Sequence, residues 1–328
     1  MDISHLAHAS VAFALAVLSA VGLRADAAPD ARPLVLYIGH WSAQQDVSWH
    51  NFLAAMRRAH PQLLSEARFE FVGTLDNDEE QRRLLLKELA ARAPALTVAP
   101  NGSSALAMRL VAPGTPVVFS SYDDPVRSGF VSTLKPRVEP ITGISLADTL
   151  DGKRLEILHE AYPAVRNVAV LGDSAWAAEG GTLARVRDAA GREGLQVSVL
   201  LANSPDELRA LFASPQSRRY DAWYVPASYI EYLGYGLVVD RMRAWHRPCI
   251  FATVEEVQDG GLMAYAQDTS FVWPALAELV ARVLAGEPPG SIPVMRPQRF
   301  VLALRTTPDT GLPLPDISVV RRADVVLR

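Results

Sequence analysis

Short runs of Val, Ile and Leu alternate along the chain with segments whose apolar residues recur every three or four positions. Runs of the first kind fall at 34–39, 69–72, 95–99 and 116–120. They are continuous rather than alternating in polarity, as suits strands covered on both faces of a parallel sheet. Between them, Trp49, Phe52, Leu53 and Met56 share one helical face, and Pro61 ends that helix. A second helix is predicted over 76–93, with acids in its first turn and Pro94 behind it. Strand, helix, strand in this order is the pattern of βαβ units.

The pattern then repeats. Apolar runs at 167–172, 195–201, 222–225 and 249–252 form a second set of four, again with helical segments between. One helix start is marked by Ser204, Pro205, Asp206 and Glu207, a capping box with proline at the first helical position. The two sets meet near Ile141, Thr142, Gly143 and Ile144. Beyond the second set lie a strand at 262–266, an apolar helix at 274–285 stopped by Gly286, and a strand at 298–304. The expectation is an α/β protein of two Rossmann-like parallel-sheet lobes joined by crossover strands. Residues 29–142 plus about 267–297 would form lobe 1, and 143–266 plus about 298–328 lobe 2.

Composition narrows the function. The 328 residues are 49% apolar and 21% charged, with ample material for two buried cores. A net charge of −4 offers no basic stripe to replace phosphate counterions, so a nucleic-acid partner is not expected. Residues 11–23 form an apolar run shorter than the roughly 20 residues a bilayer needs. Arg24, Ala25, Asp26, Ala27 and Ala28 follow, with the small-x-small spacing of a cleavage site, although no Lys or Arg precedes the run. Residues 1–28 therefore read as a signal peptide, cut after Ala27 or Ala28, that sends a soluble chain to the periplasm. The single cysteine, Cys249, allows no internal disulfide and lies in an apolar strand, as a buried structural thiol.

Candidate binding residues cluster where strands end. In open parallel sheets, ligands bind beyond the carboxyl ends of the strands, where loops and helix N-termini collect. The first set of strands ends in Trp41 and Ser42, in Asn101, Gly102, Ser103 and Ser104, and in Tyr122 and Asp123; the second ends in Ser174 and Trp176, and in Ser228 and Tyr229. Free N–H groups at Ser103 and Ser104, at the positive end of a helix, suit a carboxylate. Trp41, Tyr122, Trp176 and Tyr229 suit an organic body, and Asp123 an ammonium group.

Over about 33–327 the chain resembles the periplasmic substrate-binding proteins of ABC transporters typified by the aromatic-amino-acid binders of the TrpX kind. The resemblance is carried by Asp124-Pro125-Val126-Arg127-Ser128-Gly129-Phe130-Val131, Ile141-Thr142-Gly143-Ile144-Ser145, Gly152-Lys153-Arg154-Leu155-Glu156-Ile157-Leu158, Gly260-Gly261-Leu262-Met263-Ala264-Tyr265, the stretch from Arg282 to Pro289, and Arg322-Ala323-Asp324-Val325-Val326. It implies a type I periplasmic binding protein fold, whose two lobes and three crossover strands close over a small organic ligand. It also implies that Asn101–Ser104 receive a ligand carboxylate, and that Ser42, Asp123, Ser174 and Ser228 occupy other cleft positions. An inner-membrane ABC permease would be the partner, and the chain would work as a monomer. The loops Leu171-Gly172-Asp173-Ser174-Ala175-Trp176 and Asn101-Gly102-Ser103-Ser104 depart from the family's usual residues, so the resemblance carries the fold and not the ligand.

Enzyme chemistry lacks its parts. No metalloprotease, nucleophile-elbow, dinucleotide or phosphate-loop motif is present, and no cofactor or metal is implied. Of the seven histidines, His40 lies at a strand end by the cleft; His50, His60, His159 and His246 read as surface or helix-end residues. Glu255 and Glu256 are adjacent on a helix, diverge by about 100°, and read as a solvated helix start. The expected role is capture of a small polar organic ligand, amino-acid-like or carboxylate-bearing. The alternatives are a module reporting to a membrane sensor, or a secreted two-domain α/β enzyme.

Overall fold

A computed structural model describes residues 31–39, 42–73, 79–306 and 313–327. Residues 1–28, read above as a signal peptide, and His40 and Trp41 lie outside the described residues.

The first half runs β1 (Leu34–Gly39), α1 (Val47–Ala59), α2 (Leu63–Glu66), β2 (Arg68–Gly73), α3 (Glu79–Ala91), β3 (Leu96–Ala99), α4 (Gly102–Val111), β4 (Val117–Ser121) and β5 (Ile141–Ser145). The second begins with α5 (Asp151–Ala161), β6 (Asn167–Gly172), α6 (Ser174–Ala178), α7 (Thr182–Arg192), β7 (Gln196–Leu201) and α8 (Pro205–Ala213). It continues through β8 (Ala222–Val225), α9 (Tyr229–Trp245), β9 (Cys249–Phe251), α10 (Glu255–Gln258) and β10 (Met263–Gln267). The chain closes with α11 (Val272–Leu284), β11 (Phe300–Arg305), α12 (Ile317–Arg322) and β12 (Val325–Leu327).

Among the described residues these strands form two sheets. The five-stranded sheet, in the order β2-β1-β3-β4-β5, is parallel throughout. The seven-stranded sheet, in the order β12-β11-β10-β9-β8-β6-β7, is parallel except where β11 runs antiparallel to β10. Every residue of β1, β3, β4 and β5 is buried. That is why their sequences read as unbroken apolar runs: helices cover both faces. Two apolar clusters flank the first sheet, one gathering α1 and α11, the other α3 and α4. Two more flank the second sheet.

Chain crossings join the lobes three times. β5 pairs with β4 along its whole length, to Ser121↔Ser145, and so lies within the first sheet. Helix α11 returns to pack on α1 and the first sheet, and the chain then crosses a third time into β11. The crossings are hydrogen-bonded to one another. Ser145 N–H donates to Met295 O at 2.9 Å, Gln267 Nε2 to Ala147 O at 3.3 Å, and Asp268 N–H to Arg299 O at 3.0 Å.

Candidate functional site

The carboxyl ends of β1, β3 and β4 form the rim of the first lobe. Asn101 caps α4: its Oδ1 accepts from Ser104 N–H at 2.8 Å and from Ser103 Oγ at 2.8 Å. This corrects the sequence expectation of a free N–H at Ser104, because the cap residue that starts the helix also consumes that donor. The protein's own Asp123 carboxylate also lies there. A Cβ on Gly102 would stand 2.3 Å from Asp123 Oδ2 and 2.8 Å from Ser121 Oγ, so a side chain there would have to displace them. Ser121 Oγ donates to Asp123 Oδ2 at 3.2 Å and accepts from Asp123 N–H at 3.0 Å. The expected anion seat is thus partly self-filled by an acid. Ser42 is exposed and donates to Gln45 Oε1 at 2.9 Å.

Asp173 organises the rim of the second lobe. Its Oδ1 accepts from Trp176 N–H at 2.8 Å, capping α6, and its Oδ2 accepts from Ile230 N–H at 3.1 Å in the first turn of α9. Ser174 N–H is taken by Asn203 Oδ1 at 2.9 Å, and Ser228 caps α9 through Glu231 N–H at 3.2 Å. The ring of Trp176 lies on Gly172, where an added Cβ would meet Cε3 at 2.4 Å. Tyr229 is exposed.

One hollow of about 80 Å³ lies between these rims. Tyr122 comes from the first lobe; Trp176, Thr182, Arg185, Pro226 and Ala227 come from the second, with Asp148, Asp151 and Glu179 along its wall. Tyr122 is 70% exposed at the edge of this hollow. Beneath the hollow, Arg154 is 1% exposed. It donates to Asp148 Oδ2 at 2.6 Å, Tyr265 O at 2.8 Å, Ala252 O at 3.2 Å and Tyr224 Oη at 3.4 Å. Burial alone would lower its pKa, but the Asp148 charge and the hydrogen bonds to Asp148 and the Tyr224 hydroxyl hold it above the ordinary value. Tyr224 Oη donates to Asp151 Oδ1 at 2.5 Å. Burial raises the Asp151 pKa, and the tyrosine hydrogen bond opposes the rise. Arg185 donates to Thr182 Oγ1 at 2.7 Å and Gly180 O at 3.2 Å, which leaves its buried Nε without an acceptor among the described residues.

A second acidic group lies at the starts of α9 and α10. Glu231 and Glu256 are 5% and 4% exposed. Burial first, then the neighbouring Glu256, pushes Glu231 up to about 10. Thr253 Oγ1 also donates to Glu256. The expectation of a solvated pair at Glu255 and Glu256 is corrected for Glu256: its partner is the distant Glu231, brought beside it by the sheet.

The structure therefore brings Tyr122 and Trp176 to one hollow. Asn101–Ser104, Asp123, Ser42, Ser174, Ser228 and Tyr229 stand at the rims without lining it. Sequence reasoning missed Asp148, Asp151, Thr182 and Arg185, which follow a crossing or start helices rather than end a strand. Across the gap, Arg127 Nη1 donates to Gly180 O at 2.9 Å and lies 3.6 Å from Glu179. Among the described residues no cluster of three His, Cys, Asp or Glu is arranged to hold a metal ion, and no helix is long and apolar enough to cross a membrane.

The chain matches the profile of the family described as ABC transporter substrate binding protein over residues 67–324. None of the curated proteins matches it. Three solved structures share the fold. A conserved domain protein from Vibrio cholerae aligns over 90% of this chain and 99% of its own, at 17% identity and a TM-score of 0.72. An ABC domain from Streptococcus pneumonia in complex with L-Trp covers the same shares at 19% identity and a TM-score of 0.72. The ligand-free, open form of a substrate-binding protein with adhesive properties from Clostridium difficile does so at 18% identity and a TM-score of 0.70.

Proposed function

Because the chain belongs to the ABC transporter substrate-binding proteins, a family of binding proteins and not of enzymes, we propose that it grips an amino-acid-like ligand between its lobes and hands it to a permease. The observation that carries the ligand class is the hollow itself. An arginine with an unused donor and a carboxylate, Arg185 and Asp151, line one small space with the aromatic rings of Tyr122 and Trp176. Arg185 suits a ligand carboxylate, Asp151 an ammonium group, and the two rings an organic body. The N–H of Ser103 and the carboxylate of Asp123 offer further polar contacts from the first lobe as it closes.

Closure follows from differential contact. A ligand that touches both lobes binds the closed arrangement better than the open one, and the three crossings need only bend. The proposed lobes are the two sheets with their helices, split after Ser145, between β10 and α11, and before β11. Residues 1–28 would act as the export signal to the periplasm, where the chain would work as a monomer beside an inner-membrane ABC permease.

A thermal-shift screen of amino acids, small carboxylates and amines tests the reading. A ligand at about 100 times its dissociation constant stabilises a fold by roughly 2.7 kcal/mol. Asp151→Asn and Arg185→Gln should each weaken a zwitterionic ligand by about tenfold or more, read as the ligand-induced shift from each variant's own ligand-free melting curve. Unchanged affinity in both variants would move the binding site elsewhere.

A further inference from the structure

A second hollow, of about 200 Å³, lies at the crossings. The first crossing lines it with Ala147, Thr149 and Leu150, the second with Gln267, and the third with Arg296, Pro297, Gln298 and Phe300. It shares no lining residue with the hollow between the rims. Asp148 faces that first hollow while its neighbours Ala147 and Thr149 face this one, so the two spaces lie on opposite sides of the first crossing. The second hollow is therefore behind the hinge.

Its lining defines a ligand class. Arg296 is exposed and has no ion pair among the described residues, whereas the nearby Arg299 lies 3.8 Å from Asp268. Arg296 thus offers the hollow a guanidinium, which pairs well with a carboxylate. Leu150, Pro297 and Phe300 supply an apolar wall, and Phe300 is fixed by stacking on Tyr265, centroids 5.9 Å apart and planes 25° apart. The amide nitrogens of Gln267 and Gln298 each donate one hydrogen bond, to Ala147 O at 3.3 Å and Arg296 O at 3.2 Å, which orients these side chains and leaves each a second N–H. A cavity of about 150 Å³ accommodates benzene, and this hollow is larger.

We propose that the hollow behind the hinge is an effector site for a small aromatic carboxylate, and that filling it favours closure of the lobes. The sign follows from geometry. In the present arrangement Arg127 bridges the lobes, so the front is drawn together while the hollow behind is open. Opening the front about the crossings shortens the rear and compresses any occupant. An occupant therefore binds the closed arrangement better and, by linkage, raises affinity for a ligand in the cleft. Binding behind the hinge stands independently of the cleft; only the coupling rests on the proposed function.

Benzoate is the probe, titrated into the full chain by calorimetry at fixed ionic strength. One saturable site is expected, weakened about tenfold or more in Arg296→Ala and for uncharged benzamide, and unchanged in Asp151→Asn. Small-angle scattering should show a smaller radius of gyration with benzoate, and an identified cleft ligand should bind several-fold more tightly in its presence. Binding that survives Arg296→Ala, or that is lost in Asp151→Asn, overturns the site. Arg296-dependent binding without compaction overturns the coupling. A cleft that takes no ligand, alongside benzoate binding that still needs Arg296, sinks the reading of the cleft and supports this site.

Discussion

At the scale of single residues, the buried charges dictate the most specific expectations. Glu231 is pushed up to about 10 by burial and by Glu256. Between the unfolded value, about 4.3, and about 10, the folded chain holds a proton that the unfolded chain releases. The stability this group contributes is complete below the lower limit and is lost as pH rises through the upper one. Glu231→Gln should therefore melt higher than the native chain at pH 8, by on the order of 2 °C, with the difference gone at pH 4 in calorimetric scans. Arg154 presents the opposite case, a buried cation held by Asp148 and by the Ala252 and Tyr265 carbonyls. Arg154→Met strands those acceptors and should cost about 3–5 kcal/mol in urea unfolding. Neither role was legible in the sequence. Arg154 lies in a helix that looks amphipathic, and the spacing of Glu231 from Glu256 says nothing of a carboxyl pair, since the pairing arises only when β8 and β9 lie side by side.

Elements were far more legible. Continuous apolar runs located ten of the twelve described strands to within about two residues, because strands covered on both faces exclude polar side chains; β5, read only as the joint between the two sets, and β12 were not among them. The box at Ser204 marked α8 for a local reason: Ser204 Oγ accepts from Glu207 N–H at 3.2 Å. Less readable was Asp173, which looks like an ordinary cap but also binds the first turn of α9 through Ile230. Asp173→Ala removes both bonds and should cost about 2 kcal/mol by urea unfolding. It should also weaken a cleft ligand, because Trp176 loses its anchor. Asp173→Asn, which keeps an acceptor for Trp176, should retain more of both.

At the scale of the whole molecule, the proposed function rests on closure. Arg127 is the side chain seen to bridge the gap by a hydrogen bond and an ion pair, to Gly180 and Glu179. Its side chain is 41% exposed, so the ion pair contributes under about 1 kcal/mol and is screened by salt. Arg127→Ala should enlarge the radius of gyration of the ligand-free chain and weaken a cleft ligand by up to about fivefold. Raising salt should move the native chain in the same direction and leave the variant unaffected. A ligand-free radius of gyration that is identical in the two chains would show that this contact does not hold the lobes.

The sequence by itself determined the two-lobed α/β architecture, the strand ends as the place where loops gather, and the caps that start the helices, because apolar periodicity and capping are short-range properties. The tertiary structure decided what those loops hold. It set Asp123 beside the α4 start, buried Glu256 against Glu231, and brought Asp148, Asp151 and Arg185 to one wall. Those groups are distant in the chain, and their charges and donors acquire meaning only from burial and from the neighbours the sheet order supplies.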